Sequence, residues 1–119
     1  MKGVKKMLEN SITIRGHEIK MTLSRLNHVS TAVGSIELIS TLAINPVSQE
    51  RVLRAFLSPL VRKDDVAYYD SDNLIVDYDD LTVDEGMELL DFIQRHLLDF
   101  FTRLAEKMKT NEETASKNS

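Results

Sequence analysis

The stretch "LTVDEGMELLDFIQRHLLDFF", residues 81–101, decides the fold, because it is the most regularly patterned part of the chain. Thr82 and Glu85 have the spacing of a capping box, in which each side chain accepts a hydrogen bond from the other residue's backbone N–H. Apolar residues then recur every three or four positions, and charged residues occupy the opposite side. This pattern predicts a long amphipathic helix over about 83–108.

Two rows of apolar side chains run along this predicted helix. The first row is Met87, Leu90, Leu97, Phe101, Leu104 and Met108, interrupted by Gln94, and the second row is Leu89, Ile93 and Phe100. A stripe this broad most often covers the chain's own core. The other interpretation is that part of it stays free to bind a copy of the chain or a helix of another protein.

Length and composition predict one small soluble domain. The chain has 119 residues, of which 42% are hydrophobic and 29% charged, and it contains no cysteine. The absence of cysteine excludes disulfides, thiol nucleophiles and cysteine-based zinc sites. No apolar run has the length of a signal peptide or a membrane span. We therefore expect an intracellular protein that makes no membrane contact.

The N-terminal part of the domain has the alternation of a β-hairpin. In residues 11–23, "SITIRGHEIKMTL", isoleucines alternate with polar residues on both sides of Gly16 and His17, which are predicted to form the turn. A lone hairpin is marginal in water, so its apolar face must pack on other elements.

Two helices are predicted after the hairpin. Residues 24–44 have apolar spacings of three and four, with Ser24 as the expected N-cap. Gly34 lies inside that pattern and marks a close crossing or a kink, because glycine costs about 1 kcal/mol relative to alanine in a helix. Residues 46–61 form the next predicted helix, with Pro46 at its first position and Pro59 near its end.

The chain then passes through an acidic connector, residues 62–80, before the last helix. Within it, residues 73–78, "NLIVDY", are predicted to be ordered and extended, either as a loop or as a further strand. The predicted fold is therefore mainly α, with three main helices and an N-terminal β-hairpin, and it becomes α+β if 73–78 adds a strand. The domain is expected to span 11–108, between an N-terminal extension, 1–10, and a disordered polar tail, 109–119.

No pattern in the chain indicates catalysis, a cofactor or a metal. His17, His28 and His96 lack the spacing of metal ligands on one helix. Residues 70–81, "DSDNLIVDYDDL", begin like a calcium-binding EF-hand loop but place Ile75 where glycine is needed and Leu81 where the bidentate glutamate belongs. The few glycines form no phosphate-binding loop. We expect a non-enzymatic protein without catalytic residues, metal ligands or cofactors.

Charge is unevenly distributed. Residues 64–85 contain nine acidic residues and neither lysine nor arginine. Such a surface repels phosphates, so we expect no nucleic-acid partner. It also supplies an alternative function, in which the protein is a generic oligomerisation or adaptor module that binds a folded partner through residues 64–85. A second alternative, a small regulator that binds nucleic acid through basic N-terminal residues, remains for a gel-shift experiment to test.

The order of elements and the sequence of the last helix resemble a known family. The hairpin "SITIRGHEIKMTL" is followed by helices, and the chain ends in "LTVDEGMELLDFIQRHLLDFFTRL", with a Leu-Thr-x-x-Glu cap, a Leu-Leu pair, an Ile-x-x-His-Leu-Leu step and a Phe-Phe close. This arrangement, over most of the chain, resembles the tail assembly chaperones of long-tailed bacteriophages of Gram-positive hosts.

The resemblance implies a protein that coats the long, apolar, helical tape-measure protein and keeps it soluble until the tail tube polymerises around it. It implies the tape-measure protein as a partner, the tail tube protein as a second candidate, and a homo-oligomer. It also implies a location in the cytoplasm of the infected host and absence from the mature virion. The predicted partner-binding residues, all on the last helix, are Leu90, Ile93, Leu97, Phe100, Phe101 and Leu104.

Overall fold

A computed structural model of the protein describes residues 8–34, 39 and 45–117, of which 110–117 are described by their backbone alone. Over these residues the chain forms three α-helices and two antiparallel hairpins, which confirms the predicted mainly α fold with an N-terminal hairpin. The helices are α1 (Leu23–Val33), α2 (Pro46–Leu57) and α3 (Val83–Lys117). The strands are β1 (Ser11–Ile14), β2 (His17–Lys20), β3 (Leu60–Lys63) and β4 (Val66–Tyr69).

The first hairpin turns one residue earlier than the sequence predicts. Its turn is formed by Arg15 and Gly16, with φ values of 49° and 81°, and His17 already belongs to β2. Positive φ at both positions is the geometry that matches the twist of the flanking strands. The unusual backbone at Arg15 is anchored, because its guanidinium donates two hydrogen bonds of 2.8 Å to the Glu85 carboxylate.

The first two helices are shorter than predicted. α1 takes Thr22 rather than Ser24 as its N-cap and ends at Gly34, whose φ of 91° breaks the helix that was expected to continue to residue 44. Residues 35–38 and 40–44 of that prediction lie outside the described residues. α2 begins at Pro46 as predicted but ends at Leu57 instead of 61, because the chain becomes extended at Ser58, ahead of Pro59.

The second hairpin, β3–β4, was missed. Its register pairs Lys63 with Val66 across a turn made by Asp64 and Asp65, which have positive φ values of 53° and 65°. Aspartate tolerates this conformation better than most residues, so the two consecutive aspartates were the feature of the sequence that indicated a turn here. The predicted optional strand at 73–78 is absent. That segment is ordered but irregular, with a hydrogen bond of 2.8 Å from the Ile75 N–H to the Leu57 carbonyl.

The predicted start of the last helix is confirmed in detail. The Glu85 N–H donates to the Thr82 hydroxyl at 3.2 Å, and the Thr82 N–H donates to the Glu85 carboxylate at 2.9 Å. The helix extends to Lys117, through residues that were expected to be disordered. The physical reason is that neither proline nor glycine occurs between Met87 and Lys117 to end it.

The core lies where the first hairpin, α1, α2 and α3 meet. Its fully buried side chains include Val29 from α1, Val52 and Phe56 from α2, and Ile93 from α3. Ile19 of β2 is 2% exposed and places the hairpin's apolar face on this core, as predicted.

A buried arginine joins three of these elements. Arg25 on α1 is 9% exposed, and its guanidinium donates to the carbonyls of Phe56 and Ser58 at the end of α2. It also lies over the ring of Tyr69 on β4, 5.1 Å from the centroid. Burial lowers the pKa of Arg25 from its ordinary value, and no carboxylate pairs with it among the described residues. Arg25 therefore fixes the second hairpin and the end of α2 against α1.

Replacing Arg25 with alanine leaves the carbonyls of Phe56 and Ser58 without their donor, and we expect a loss of about 2 kcal/mol in unfolding free energy. Arg25→Lys should recover only part of this loss, because an ammonium can donate to the carbonyls but lacks the planar guanidinium that lies over the Tyr69 ring. Urea unfolding of the two variants measures the difference. Equal stability of Arg25→Ala and the wild type would contradict the assigned role.

The pair between Arg15 and Glu85 predicts a pH dependence of stability. The hydrogen bonds from the Arg15 side chain and the Thr82 N–H lower the pKa of Glu85 to about 2, from 4.5. A carboxylate with a depressed folded-state pKa contributes its stability above the unfolded value and loses it as the pH falls towards the folded value. We expect the stability advantage of the wild type over Glu85→Gln to be constant above about pH 5 and to disappear between that pH and about 2.

Urea unfolding of both proteins at a series of pH values checks this expectation. All other acidic residues are present in both proteins, so their contributions cancel when the two unfolding free energies are subtracted. A difference that does not change across this range would show that the pair contributes nothing through its charge.

Candidate interaction surface

One side of α3 covers the core. Leu89, Ile93 and Leu97 each have 0% exposure, so one continuous line of side chains on α3 is fully buried. Phe92 and Phe100 flank this line and pack partly against the same core. The second row from the sequence is thus the inward row, together with Leu97 from the first row.

The described C-terminal part of α3 projects beyond the core. Every side chain from Thr102 to Lys109 is exposed, so no side of the helix is covered over these two turns. Four apolar side chains nevertheless follow one another along one side of this part: Leu98, Phe101, Leu104 and Met108, which we name the distal stripe. Leu98, Leu104 and Met108 are 43%, 42% and 57% exposed, and Phe101 is half-buried.

Two exposed ion pairs lie along α3. Arg103 pairs with Asp99 at 3.1 Å on the side opposite the distal stripe, and Arg95 pairs with Asp91 at 3.0 Å before the stripe begins, each at i,i+4 spacing. Such exposed pairs add only about 0.3 to 0.5 kcal/mol each to helix stability. A projecting helix with little support of this kind gains stability when its apolar side is covered by another chain.

A groove of mixed polar and apolar lining lies beside the N-terminal half of α3. This groove, the proximal groove, has a volume of about 390 Å³, and its apolar residues include Leu53, Leu81, Met87 and Leu90. The guanidinium of Arg54 on α2 lies 5.1 Å from the centroid of the Tyr78 ring, which holds the groove's wall in place.

Gln94 separates the proximal groove from the distal stripe. It is the residue that interrupts the first apolar row, and its side-chain amide donates to the carbonyl of Ile39 at 2.7 Å. A polar residue was needed there, because a buried carbonyl without a partner is costly. The interruption in the sequence pattern therefore has a structural role.

The six predicted contact residues divide into three groups. Ile93 and Leu97 are fully buried in the chain's own core, so in the single chain they present no surface to a partner. Leu90, Phe100 and Phe101 are half-buried, and Leu104 is exposed. Leu98 and Met108 were left out of the predicted set although both are exposed. The spacing of these apolar residues placed them on one broad stripe of the helix. It could not show which part of that stripe would face the core.

The described histidines make separate contacts in the fold. The ring of His28 stacks on Tyr69 with centroids 4.5 Å apart, and burial lowers its pKa. The Nε2 atom of His96 lies 2.7 Å from the carbonyl oxygen of Glu9. In the part of the chain that the structure describes, no three histidine or carboxylate side chains converge into a group able to hold a metal ion.

None of the described helices combines the length and the apolar character needed to cross a membrane. Comparisons of the chain with protein-family models, with curated proteins and with solved structures found no match.

The division of α3 into a core row and an exposed stripe predicts opposite effects of similar substitutions. Ile93→Ala should lower the free energy of unfolding by about 2 to 4 kcal/mol, because it leaves a cavity at a fully buried position. Leu104→Ala should change it by less than about 0.5 kcal/mol, because that side chain makes little tertiary contact. Chemical unfolding of the two variants measures both values. A comparable loss in Leu104→Ala would mean that the distal stripe is covered in the single chain.

Proposed function

We propose that this protein is a non-enzymatic phage tail assembly chaperone that binds apolar helical segments of the tape-measure protein and keeps them soluble during tail assembly. The observation that supports it best is the distal stripe, a line of apolar side chains on α3 of which Leu98, Leu104 and Met108 are exposed and Phe101 is half-buried. The resemblance of "LTVDEGMELLDFIQRHLLDFFTRL" to the last helix of that family supports it independently.

The proposed binding mode is helix packing against α3. A client helix presents apolar side chains every three or four residues, which is the spacing that the distal stripe also has. The methionine in the stripe, Met108, adapts to clients of varied sequence because its side chain is unbranched and flexible. The proximal groove accepts a further apolar side chain or turn of the same client through Met87 and Leu90.

Several copies acting along one client are part of the proposal. A single exposed stripe buries little area, so each contact is weak, and repeated contacts along a long client raise the total affinity. The protein would act in the cytoplasm of the infected host, would leave the tape-measure protein as the tail tube forms, and would be absent from the mature virion.

Co-expression with a fragment of the tape-measure protein tests the function. We expect the fragment to be soluble with the wild-type protein and insoluble with the triple variant Leu98→Ser, Leu104→Ser, Met108→Ser. Each substitution removes about 1 kcal/mol of apolar contact, so binding should weaken by about 100-fold in total.

A matched control comes from the second hairpin, which also exposes three apolar side chains, Leu60, Val66 and Tyr68. Replacing these three with serine removes exposed apolar surface of a similar kind without changing α3, and it should leave the fragment soluble. If the fragment is equally insoluble with and without the wild-type protein, the chaperone proposal is lost.

The alternative function, an adaptor that binds a folded partner through residues 64–85, has one observation in its favour. Seven of the nine acidic side chains in that segment are exposed, and only Glu85 forms an ion pair among the described residues. Binding through that surface should weaken steeply with ionic strength, whereas binding through the distal stripe should not. A measurement of client affinity at low and high salt therefore separates the two functions.

A further inference from the structure

A groove separate from both α3 surfaces lies between the first hairpin and the opposite flank of α3. Its volume is about 690 Å³. Ser11 and Thr13 of β1 line one wall, and Glu88, Phe92 and Arg95 of α3 line the other. A strand edge and a helix thus face each other across an open space.

The strand register shows that the edge of β1 presents its backbone to this groove. In an antiparallel pair, alternate residues bond to the partner strand, and the residues between them direct their N–H and C=O groups outward. Ile14 and His17 flank the two-residue turn and form a bonded pair, and the Met21 N–H donates to the Asn10 carbonyl at 2.7 Å with the same periodicity. Ser11 and Thr13 are therefore the outward residues.

These outward groups have no partner within the part of the chain that the structure describes: the backbone N–H and C=O groups of Ser11 and Thr13 make no hydrogen bond there. Unpaired groups along a strand edge are a template for a further strand. Ile14 of β1 is buried in the core that α3 also lines. In the part of the chain that the structure describes, the polar links between this strand and α3 lie beyond its two ends, where His96 contacts the Glu9 carbonyl at 2.7 Å and Arg15 pairs with Glu85 at 2.8 Å.

The walls of the groove favour a cationic occupant. Glu9, Glu18, Glu88 and Asp91 contribute four carboxylates, and the guanidinium of Arg95 is already paired with Asp91 at 3.0 Å. Apolar contact is supplied by Ile12 and Phe92, which lie among these charges. An extended segment directs alternate side chains to opposite sides, so it can place basic side chains on the carboxylates and apolar ones on Phe92.

We propose that this groove binds an extended, lysine- or arginine-containing segment of another polypeptide, which adds as a strand to the outer edge of β1. Strand addition supplies affinity through main-chain hydrogen bonds and specificity through alternate side chains. This site is distinct from the distal stripe, which recognises a helix. The protein therefore has two faces that bind two kinds of secondary structure.

The test is a titration of the isotope-labelled full chain with a short peptide of alternating lysine and valine, followed by NMR. We expect shifts of the Ser11 and Thr13 amide signals and saturable binding. A peptide with glutamate in place of lysine should not bind. A lysine–valine peptide that is N-methylated at alternate positions should bind at least about fivefold more weakly, because it lacks the backbone N–H groups that would donate to β1.

Two pairs of variants locate the site. Thr13→Pro removes an outward N–H of β1 and should weaken binding, while Lys20→Pro removes an outward N–H on the far edge of β2 and should not. Glu88→Gln should weaken binding more than Asp84→Asn, which is on the same helix but outside the groove. If Thr13→Pro does not fold, the N-methylated peptide on the wild-type protein makes the same measurement.

Three outcomes would overturn the proposal: equal affinity for the N-methylated peptide, equal effects of the two members of either pair, or no binding at all. A fourth outcome would come from a variant in which Lys2, Lys5 and Lys6, which lie outside the described residues, are replaced. If replacing all three with glutamate tightens peptide binding, the chain's own N-terminal residues are the occupant, and the assignment to another polypeptide is wrong. Serine substitutions in the distal stripe should leave this binding unchanged, which separates this site from the chaperone function.

Discussion

Burial of Leu89, Ile93 and Leu97 along one side of α3 is the contact on which the rest of the structure depends. All three have 0% exposure, and burial of such a side chain contributes about 1.5 to 3 kcal/mol. The other elements could not persist alone, because two-stranded hairpins and helices of eleven or twelve residues are marginal in water. α3 supplies the long apolar surface on which the hairpin and the shorter helices assemble.

Polar links then set how those elements sit on this surface. Arg25 reaches from α1 to two carbonyls at the end of α2, and Arg15 reaches from the hairpin turn to Glu85 at the start of α3. Hydrogen bonds are directional, whereas apolar burial is not. These two arginines therefore fix the relative placement of elements that apolar packing alone does not determine. Glu85 serves both the helix cap and the hairpin, so one carboxylate joins the start of α3 to the hairpin turn.

The length of α3 relative to the core produces the candidate binding surfaces. The helix has 35 residues, about 52 Å at 1.5 Å per residue, yet its fully buried side chains end at Leu97. Beyond that point Phe100 and Phe101 pack partly against the core, and the same apolar periodicity continues to the exposed Leu104 and Met108, which creates the distal stripe. On the other flank, the described polar links between the hairpin and α3 lie beyond the ends of β1, and the acidic groove lies between them.

The sequence by itself determined the features that depend on neighbouring residues. The capping box of Thr82 and Glu85, the helix start at Pro46 and the amphipathic character of α3 all follow from spacings of a few positions, and all are confirmed. The end of α1 at Gly34 and the turn at Asp64 and Asp65 were also readable, since both depend on which residues tolerate positive φ, but apolar periodicity outweighed these signals.

Only the tertiary structure decided which apolar residues are core and which are surface. Ile93 and Leu104 look alike in the pattern, yet one has no exposed area and the other is 42% exposed, because the core reaches the first and not the second. The burial of Arg25, an ordinary polar position in the sequence, likewise depends on carbonyls more than thirty residues away. Periodicity defines the sides of a helix, but the neighbours that cover a side come from distant parts of the chain, and only their packing determines what remains free for a partner.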